Sequence, residues 1–238
     1  ATVTEISTQL GYPQSSTSML LSTLTDLGYL MLHRPSKTYR PSLRVMLLGA
    51  WMHDELFGEG RLVSQLDKLR RTTHCTVMLG VRQDVYTRVM LVLWGKKRWA
   101  PRYAAGSLIP ITRSSSGKIL LLNTSNADIL HTIARNNNDT GNDASPVNAE
   151  ALLHEINQIR HQGWACTLDY PKRGLGSIAV ALPPIPDHPP ISLALGTTKA
   201  ELVNNMASYI STLQNSILRI SDASPPNQPF NPTLSETA

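Results

Sequence analysis

Cysteine is scarce in this chain. Only Cys75 and Cys166 occur, far apart and outside any C-x-x-C pattern. That argues against a disulfide framework or a cysteine zinc site and makes a reducing cytoplasm the expected setting. Long apolar runs are missing as well. None approaches the roughly 18 to 20 residues a helix needs to span a bilayer, so no membrane partner is expected. The first residues lack the basic start and apolar stretch of a secretory signal. The 7 histidines include His154 and His161 on one helix face, but these lie about two turns apart, too far for one ion. No metal and no cofactor are expected. Charged residues make up only 16% of the chain and hydrophobic ones 41%, which fits a globular protein of one large or two modest domains. The net charge of +5 concentrates between Arg61 and Lys118, where only Asp67 and Asp84 oppose the cations. A basic balance suits a nucleic-acid partner in general. Most of these residues read instead as a solvated face or the rim of a dimer.

The N-terminal end carries a sharper pattern. Ile6, Leu10, Leu20, Leu21, Leu24 and Leu27 recur at helical spacing and predict two short amphipathic helices. Gly11-Tyr12-Pro13 parts them: Gly11 can take the left-handed conformation that ends a helix, and Pro13 suits the opening of the next. That helix begins Gln14-Ser15-Ser16-Thr17-Ser18-Met19, with small polar side chains on the side away from the leucines. Gly28-Tyr29-Leu30 stops it, and Leu30 to Arg40 reads as strand, turn, strand with Arg34, Lys37 and Arg40 near the tip. This is the layout of a winged helix-turn-helix over 1–41, although the spacing also fits a plain helix pair and hairpin. In the winged reading Gln14, Ser15, Ser16, Ser18 and Met19 face the major groove of double-stranded operator DNA. Arg34, Lys37 and Arg40 then lie on phosphates or in the minor groove. The chain opens without a methionine and almost inside a helix, so a leading helix of this unit is expected to be missing.

The segment 42–58 carries Leu43, Val45, Met46, Leu47, Leu48 and Trp51 behind a Ser42 cap and predicts a linker helix. A second unit over 59–222 mixes elements without regular β-α-β alternation, which favours an α+β sheet. A helix is expected from Arg61 to near Thr72, and a hairpin of Cys75 to Arg82 and Val85 to Trp94 around Gln83-Asp84. A strand is expected over Arg98 to Ala104, and helices over Ser115 to Asn123, Asn126 to Asn136 and Ala149 to Gln162. Further strands are read at Trp164 to Asp169, Gly176 to Leu182 and Ile191 to Leu195, then one long helix from Lys199 to Ile220. Trp94, Trp99 and Trp164 are expected in the core. Residues 223–238 are rich in proline and read as a disordered tail.

Chemistry concentrates at Thr112-Arg113-Ser114-Ser115-Ser116-Gly117-Lys118. Serines ahead of Ile119-Leu120-Leu121-Leu122 predict a capped helix start, where free backbone N–H groups favour an anion such as a carboxylate. A plain capped helix is the alternative. Ser115-x-x-Lys118 also fits the S-x-x-K of some serine acyl-transfer enzymes, but the companion S-D-N and K-T-G motifs are absent. A phosphate-binding loop fails, because Thr112 stands where Gly is needed and Ile119 where Ser or Thr is needed. Asp169 and Lys172 to Gly176 read as a turn beside a pocket or simply a basic surface turn.

Taken together these segments resemble the IclR family of bacterial transcriptional regulators. The resemblance rests on Gly11 to Ser16 with Leu20 to Leu24 and Leu27 to Leu30, then Tyr39 to Leu43 with Leu48-Gly49. It continues through Gly106-x-x-Ile109-Pro110-Ile111 with Ser116-Gly117-Lys118. Ile159-Arg160-x-x-Gly163-Trp164, Gly174 and Ser177 to Val180 complete it. The resemblance implies a winged helix-turn-helix joined by a linker helix to a GAF-like α+β effector-binding domain. It implies a regulator rather than an enzyme, acting as a homodimer or homotetramer on operator DNA and bound by a small-molecule carboxylate effector. By position, Ser115 and Ser116 would offer N–H groups to that carboxylate and Ser177 would line the pocket. Thr167 stands where many members carry an acid, and Leu193 and Leu195 where some carry serines. Two leucines in place of hydroxyls predict an aromatic or otherwise hydrophobic acid. The alternatives are a serine hydrolase using Ser115 and Lys118, or a ligand-sensing dimerisation module without DNA binding.

Overall fold

Thr2 and Glu5 open the first helix, α1 (Val3–Leu10), with a reciprocal cap. Thr2 Oγ1 accepts from Glu5 N–H, and the Glu5 carboxylate accepts from Thr2 N–H, satisfying donors that the first turn of a helix leaves over. The computed structural model describes residues 1–42, 44–45, 61–96, 103–139, 145–185 and 188–221. The chain divides into two compact units, Ala1–Gly60 and Arg61–Ala238. In the first, Gly11 ends α1 at a φ of 67°, a conformation glycine adopts without penalty. Pro13 leads into α2 (Gln14–Asp26), which buries Thr17 and Leu21. Leu10, Leu20 and Leu27 of the expected apolar stripe remain more than half exposed, so the two helices cover only part of it. A hairpin follows, β1 (Leu30–His33) against β2 (Thr38–Pro41), turning over Arg34 to Lys37. The result is a winged helix-turn-helix. Arg40 pairs with Met31 on the body of the hairpin, so it lies away from the tip where the sequence pattern put it. The expected linker helix over 42–58 lies outside the described residues except at Ser42, Arg44 and Val45, and the tail over 223–238 lies wholly outside them.

The second unit is built on a six-stranded antiparallel sheet in the order β5-β4-β3-β8-β7-β6. Its strands are β3 (Thr76–Gln83), β4 (Tyr86–Leu93), β5 (Leu108–Pro110), β6 (Trp164–Leu168), β7 (Leu175–Ala181) and β8 (Ile191–Thr198). Its helices are α3 (Arg61–Thr73), α4 (Ser115–Leu120), α5 (Asn126–Asp139), α6 (Ala149–Gln162), α7 (Lys199–Asn204) and α8 (Met206–Ser221). Register places Met78, Ala194, Ala179 and Ala165 side by side across four strands. These pack with Ile119 of α4 and Ile159 of α6. The alternate residues Val77, Leu195 and Ile178 point to the other face, where Leu202 of α7 reaches the bare Gly176 and α3 and α8 pack together. Helices thus cover both faces, and the central strands are buried on both.

Four expectations differ from the structure. The long closing helix breaks at Asn205, whose N–H and side-chain amide both donate to Glu201 O. A side chain that bonds the preceding turn in this way competes with helix continuation. The helix expected to end at Asn136 runs on to Asp139, with Asn136 a buried part of α5. It bonds Thr112 and the Val85 carbonyl. The strand expected over Arg98 to Ala104 is mostly outside the described residues, and Tyr103 and Ala104 are not in a strand. The edge strand is instead Leu108–Pro110, too short to show alternation. Trp94 is 45% exposed rather than core.

Candidate functional site

Every residue of α4 is buried, Ser115 through Leu120. Glycine makes that depth possible, since a Cβ on Gly117 would stand 2.0 Å from Ile111 O. Ser114 caps the helix, its Oγ accepting from Gly117 N–H at 3.0 Å, and Lys118 N–H bonds Ser114 O. The next two serines reach across to the sheet. Ser115 Oγ bonds Ser177 Oγ of β7 at 2.7 Å, and Ser116 Oγ bonds Ser192 Oγ of β8. Ser192 in turn donates to Gly80 O at 3.1 Å.

A narrow cavity lies between the start of α4 and the sheet. Ser114, Ser115, Ser116 and Ser177 form its polar side. Met78, Leu79, Val89, Ile109 and Ala194 make up most of its apolar floor, and Gly80 and Thr87 complete it. Tyr103, Tyr170 and Pro171 close it from loops. Burial pushes both phenols up in pKa, Tyr103 further through its neighbour Tyr170, while Arg113 partly offsets the rise at Tyr170. Both are therefore neutral near pH 7 and able to donate. The loop that carries Tyr170 is held at its base. Asp169 accepts from Gly174 N–H and pairs with Lys199, and these two contacts keep its carboxyl below the usual range.

Ser115, Ser116 and Ser177 of the expected ligand set are thus brought together, and three others are not. Leu193 and Leu195 are fully buried on the opposite face of the sheet, because successive strand residues alternate faces. Ser192 and Ala194 are the residues of that strand that face α4. Thr167 shares a face with its partner Ser177 but lines a separate cleft beside Arg113, Lys118 and Glu155. The Lys118 side chain is engaged elsewhere. Its ammonium bonds Glu155 Oε1 at 2.7 Å, so no serine–lysine dyad forms. Tyr103, Tyr170 and Thr87 escaped the sequence reading: the tyrosines sit in loops without period, and Thr87 looks like any strand residue. Among the described residues no group of three or more His, Cys, Asp or Glu is placed to hold a metal, and no helix is long and apolar enough to cross a membrane.

On the first unit the polar face of α2 is open. Gln14, Ser15, Ser16, Ser18 and Met19 are all exposed, Met19 by 71%, while Thr17 and Leu21 turn inward. Lys37 holds a φ of 51° in the wing turn, and Arg34, Lys37 and Arg40 are exposed.

A winged helix-turn-helix carried on one chain with a helix-covered sheet enclosing a small cavity defines a transcriptional regulator with a DNA-binding and an effector domain. Residues 61–222 match the bacterial transcriptional regulator IclR C-terminal domain, and residues 1–31 match the IclR helix-turn-helix domain. The chain belongs to the IclR family, whose regulators bind operator DNA. It is 25% identical over 228 residues to the HTH-type transcriptional regulator XynR of Escherichia coli strain K12, covering 93% of this chain and 88% of that one. Its fold is similar to an IclR transcriptional regulator from Alicyclobacillus acidocaldarius, with a TM-score of 0.76 at 18% identity, over 94% and 91% of the two chains. It is also similar to an IclR homologue from Microbacterium hydrocarbonoxydans complexed with 4-hydroxybenzoate, with a TM-score of 0.72 at 16% identity, over 93% and 90%. These relatives are regulators, and with Lys118 held by Glu155 the hydrolase alternative falls.

Proposed function

We propose that this regulator senses a small organic acid with an apolar or aromatic body. The observation that carries the reading is the two-sided lining of the cavity. Serine hydroxyls and the start of α4 stand on one side, with Met78, Val89, Ile109 and two neutral tyrosines on the other. Gly117 and Lys118 N–H are occupied by Ser114, so the first-turn N–H groups of Ser115 and Ser116 are the ones to meet a carboxylate. The apolar preference rests on these walls rather than on Leu193 and Leu195, which face away. The 4-hydroxybenzoate held by the Microbacterium homologue has the same make-up. A thermal-shift panel tests the reading: aromatic acids should raise the melting temperature, and pyruvate and glyoxylate should not. Stabilisation by the two small acids alone would overturn it.

In this reading α2 enters the major groove through Gln14, Ser15, Ser16, Ser18 and Met19, while the wing cations Arg34, Lys37 and Arg40 contact the backbone. Two copies, as a homodimer or a dimer of dimers in the cytoplasm, would match a two-fold operator. Lys37→Ala with Arg40→Ala should weaken binding to all DNA sequences alike. The slope of log affinity against log salt should fall by about one for each phosphate that the variant no longer neutralises. Affinity measured from low to high salt checks this, and an unchanged slope removes the wing from the interface.

A further inference from the structure

We propose that Ser42 and Arg44 are positioning residues for DNA recognition, clamping the chain that leaves the wing onto the C-terminal end of α2. The inference rests on the reading that places α2 in the major groove. Three successive carbonyls at that end, those of Leu27, Gly28 and Tyr29, all accept from these two residues. Arg44 Nη1 donates to Leu27 O at 3.1 Å, Ser42 Oγ to Gly28 O at 2.5 Å and Ser42 N–H to Tyr29 O at 2.9 Å. The Arg44 guanidinium also lies 5.5 Å from the centroid of the Tyr29 ring, within cation–π reach. Ser42 Oγ in turn accepts from Arg44 N–H at 3.2 Å, which joins the two residues into one unit.

Helix α2 carries no basic residue in its last turn, although the carbonyl end of a helix attracts a cation. Arg44 brings that cation from 17 positions beyond Leu27. Gly28 gives it room: the residue holds a φ of +76°, and a Cβ on it would stand 3.4 Å from Arg44 Nη1. The guanidinium is thus committed at its edge to Leu27 O and on its face to Tyr29. It is a fixture of the helix end rather than a free cation for phosphate. The proposed base contacts, Gln14 to Met19, lie at the opposite end of α2. Base edges are read only by a helix held at one angle, whereas long flexible cations follow the phosphates through small rotations. A clamp at the far end of α2 therefore governs which sequence is read more than how tightly any DNA is held.

The test measures the affinity of the full chain for two duplexes of equal length across a range of salt. One is selected from a random-sequence pool by the unaltered protein, and the other is unrelated to it. Arg44→Met, which keeps an unbranched stem without the charge, and Ser42→Ala are compared with the unaltered protein. Each variant should bind the selected duplex about ten-fold more weakly, with affinity for the unrelated duplex held within about two-fold. The slope of log affinity against log salt should match the parent's in both. A slope lowered by about one in Arg44→Met would make Arg44 a phosphate contact and overturn the assignment. Equal weakening on both duplexes overturns it as well, since that is what a partly unfolded unit gives. If the parent prefers the selected duplex and either variant prefers it equally, only this inference fails. If selection yields no duplex that the parent prefers, the major-groove reading of α2 fails and this inference falls with it.

Discussion

Gly117→Ala should unseat the effector unit, lowering its melting temperature by about 10 °C. The added Cβ would stand 2.0 Å from Ile111 O, 2.6 Å from Ile111 C and 2.7 Å from Ile111 Cα. All three are backbone atoms next to a fully buried side chain, so no rotamer change relieves the overlap. The helix must rise off the sheet, loosening Ser115 from Ser177 and Ser116 from Ser192 together. Overpacking of this severity costs about 3 kcal/mol or more, and a unit of this size loses ~2–4 °C per kcal/mol. Gly106→Ala is the matched control. It has nothing within 4 Å and carries only the strain of a φ of +88°, a penalty of about 1 kcal/mol. Calorimetry of both variants decides, and a Gly117→Ala protein that melts within a couple of degrees of the Gly106→Ala control would show that α4 is not wedged against Ile111.

Leu195→Ala and Ala194→Leu should separate stability from ligand binding at adjacent positions. Leu195 is fully buried between Val77 and Ile178, and truncating such a leucine costs about 2–5 kcal/mol. Its ligand preference should be that of the parent, because the side chain is on the far side of the sheet. Ala194 lines the cavity at 1% exposure. A leucine there adds bulk to the ligand's own space and should abolish effector-induced stabilisation at a smaller cost, about 1–3 kcal/mol. The thermal-shift panel applied to both variants reads the two effects at once. A Leu195→Ala protein of undiminished stability but altered ligand preference would return β8 to the opposite register.

Elements that announce themselves locally were legible in the sequence. Helix α6 spans the expected Ala149–Gln162, capped by Asn148 and ended by Gly163 in the left-handed region. The β3–β4 hairpin turns at Asp84 with a φ of 53°, where a Gln-Asp pair marked it. The serine cap and its meeting with Ser177 were also within reach, through local capping rules and the family resemblance. The facing of β8 was not. Ser-Leu-Ala-Leu-Gly alternates in size, but helices cover both faces of the sheet, so alternation marks no outside. The Lys118–Glu155 pair joins residues on different helices, and the Asn205 break depends on a side chain finding the preceding turn. Tyr103 and Tyr170 reach the cavity from irregular segments, where no period exists to read. Such contacts belong to tertiary structure and leave no local trace.

The alternation of β8 also bears on how such a protein can change over generations. Residues 192 and 194 face α4, while 193 and 195 are packed on the other side of the sheet. In the proposed reading the two sets interleave without overlapping, so a lineage can revise its chemical vocabulary one even-numbered position at a time. The odd-numbered positions meanwhile hold the scaffold constant, so new signals become accessible without first passing through an unfolded ancestor.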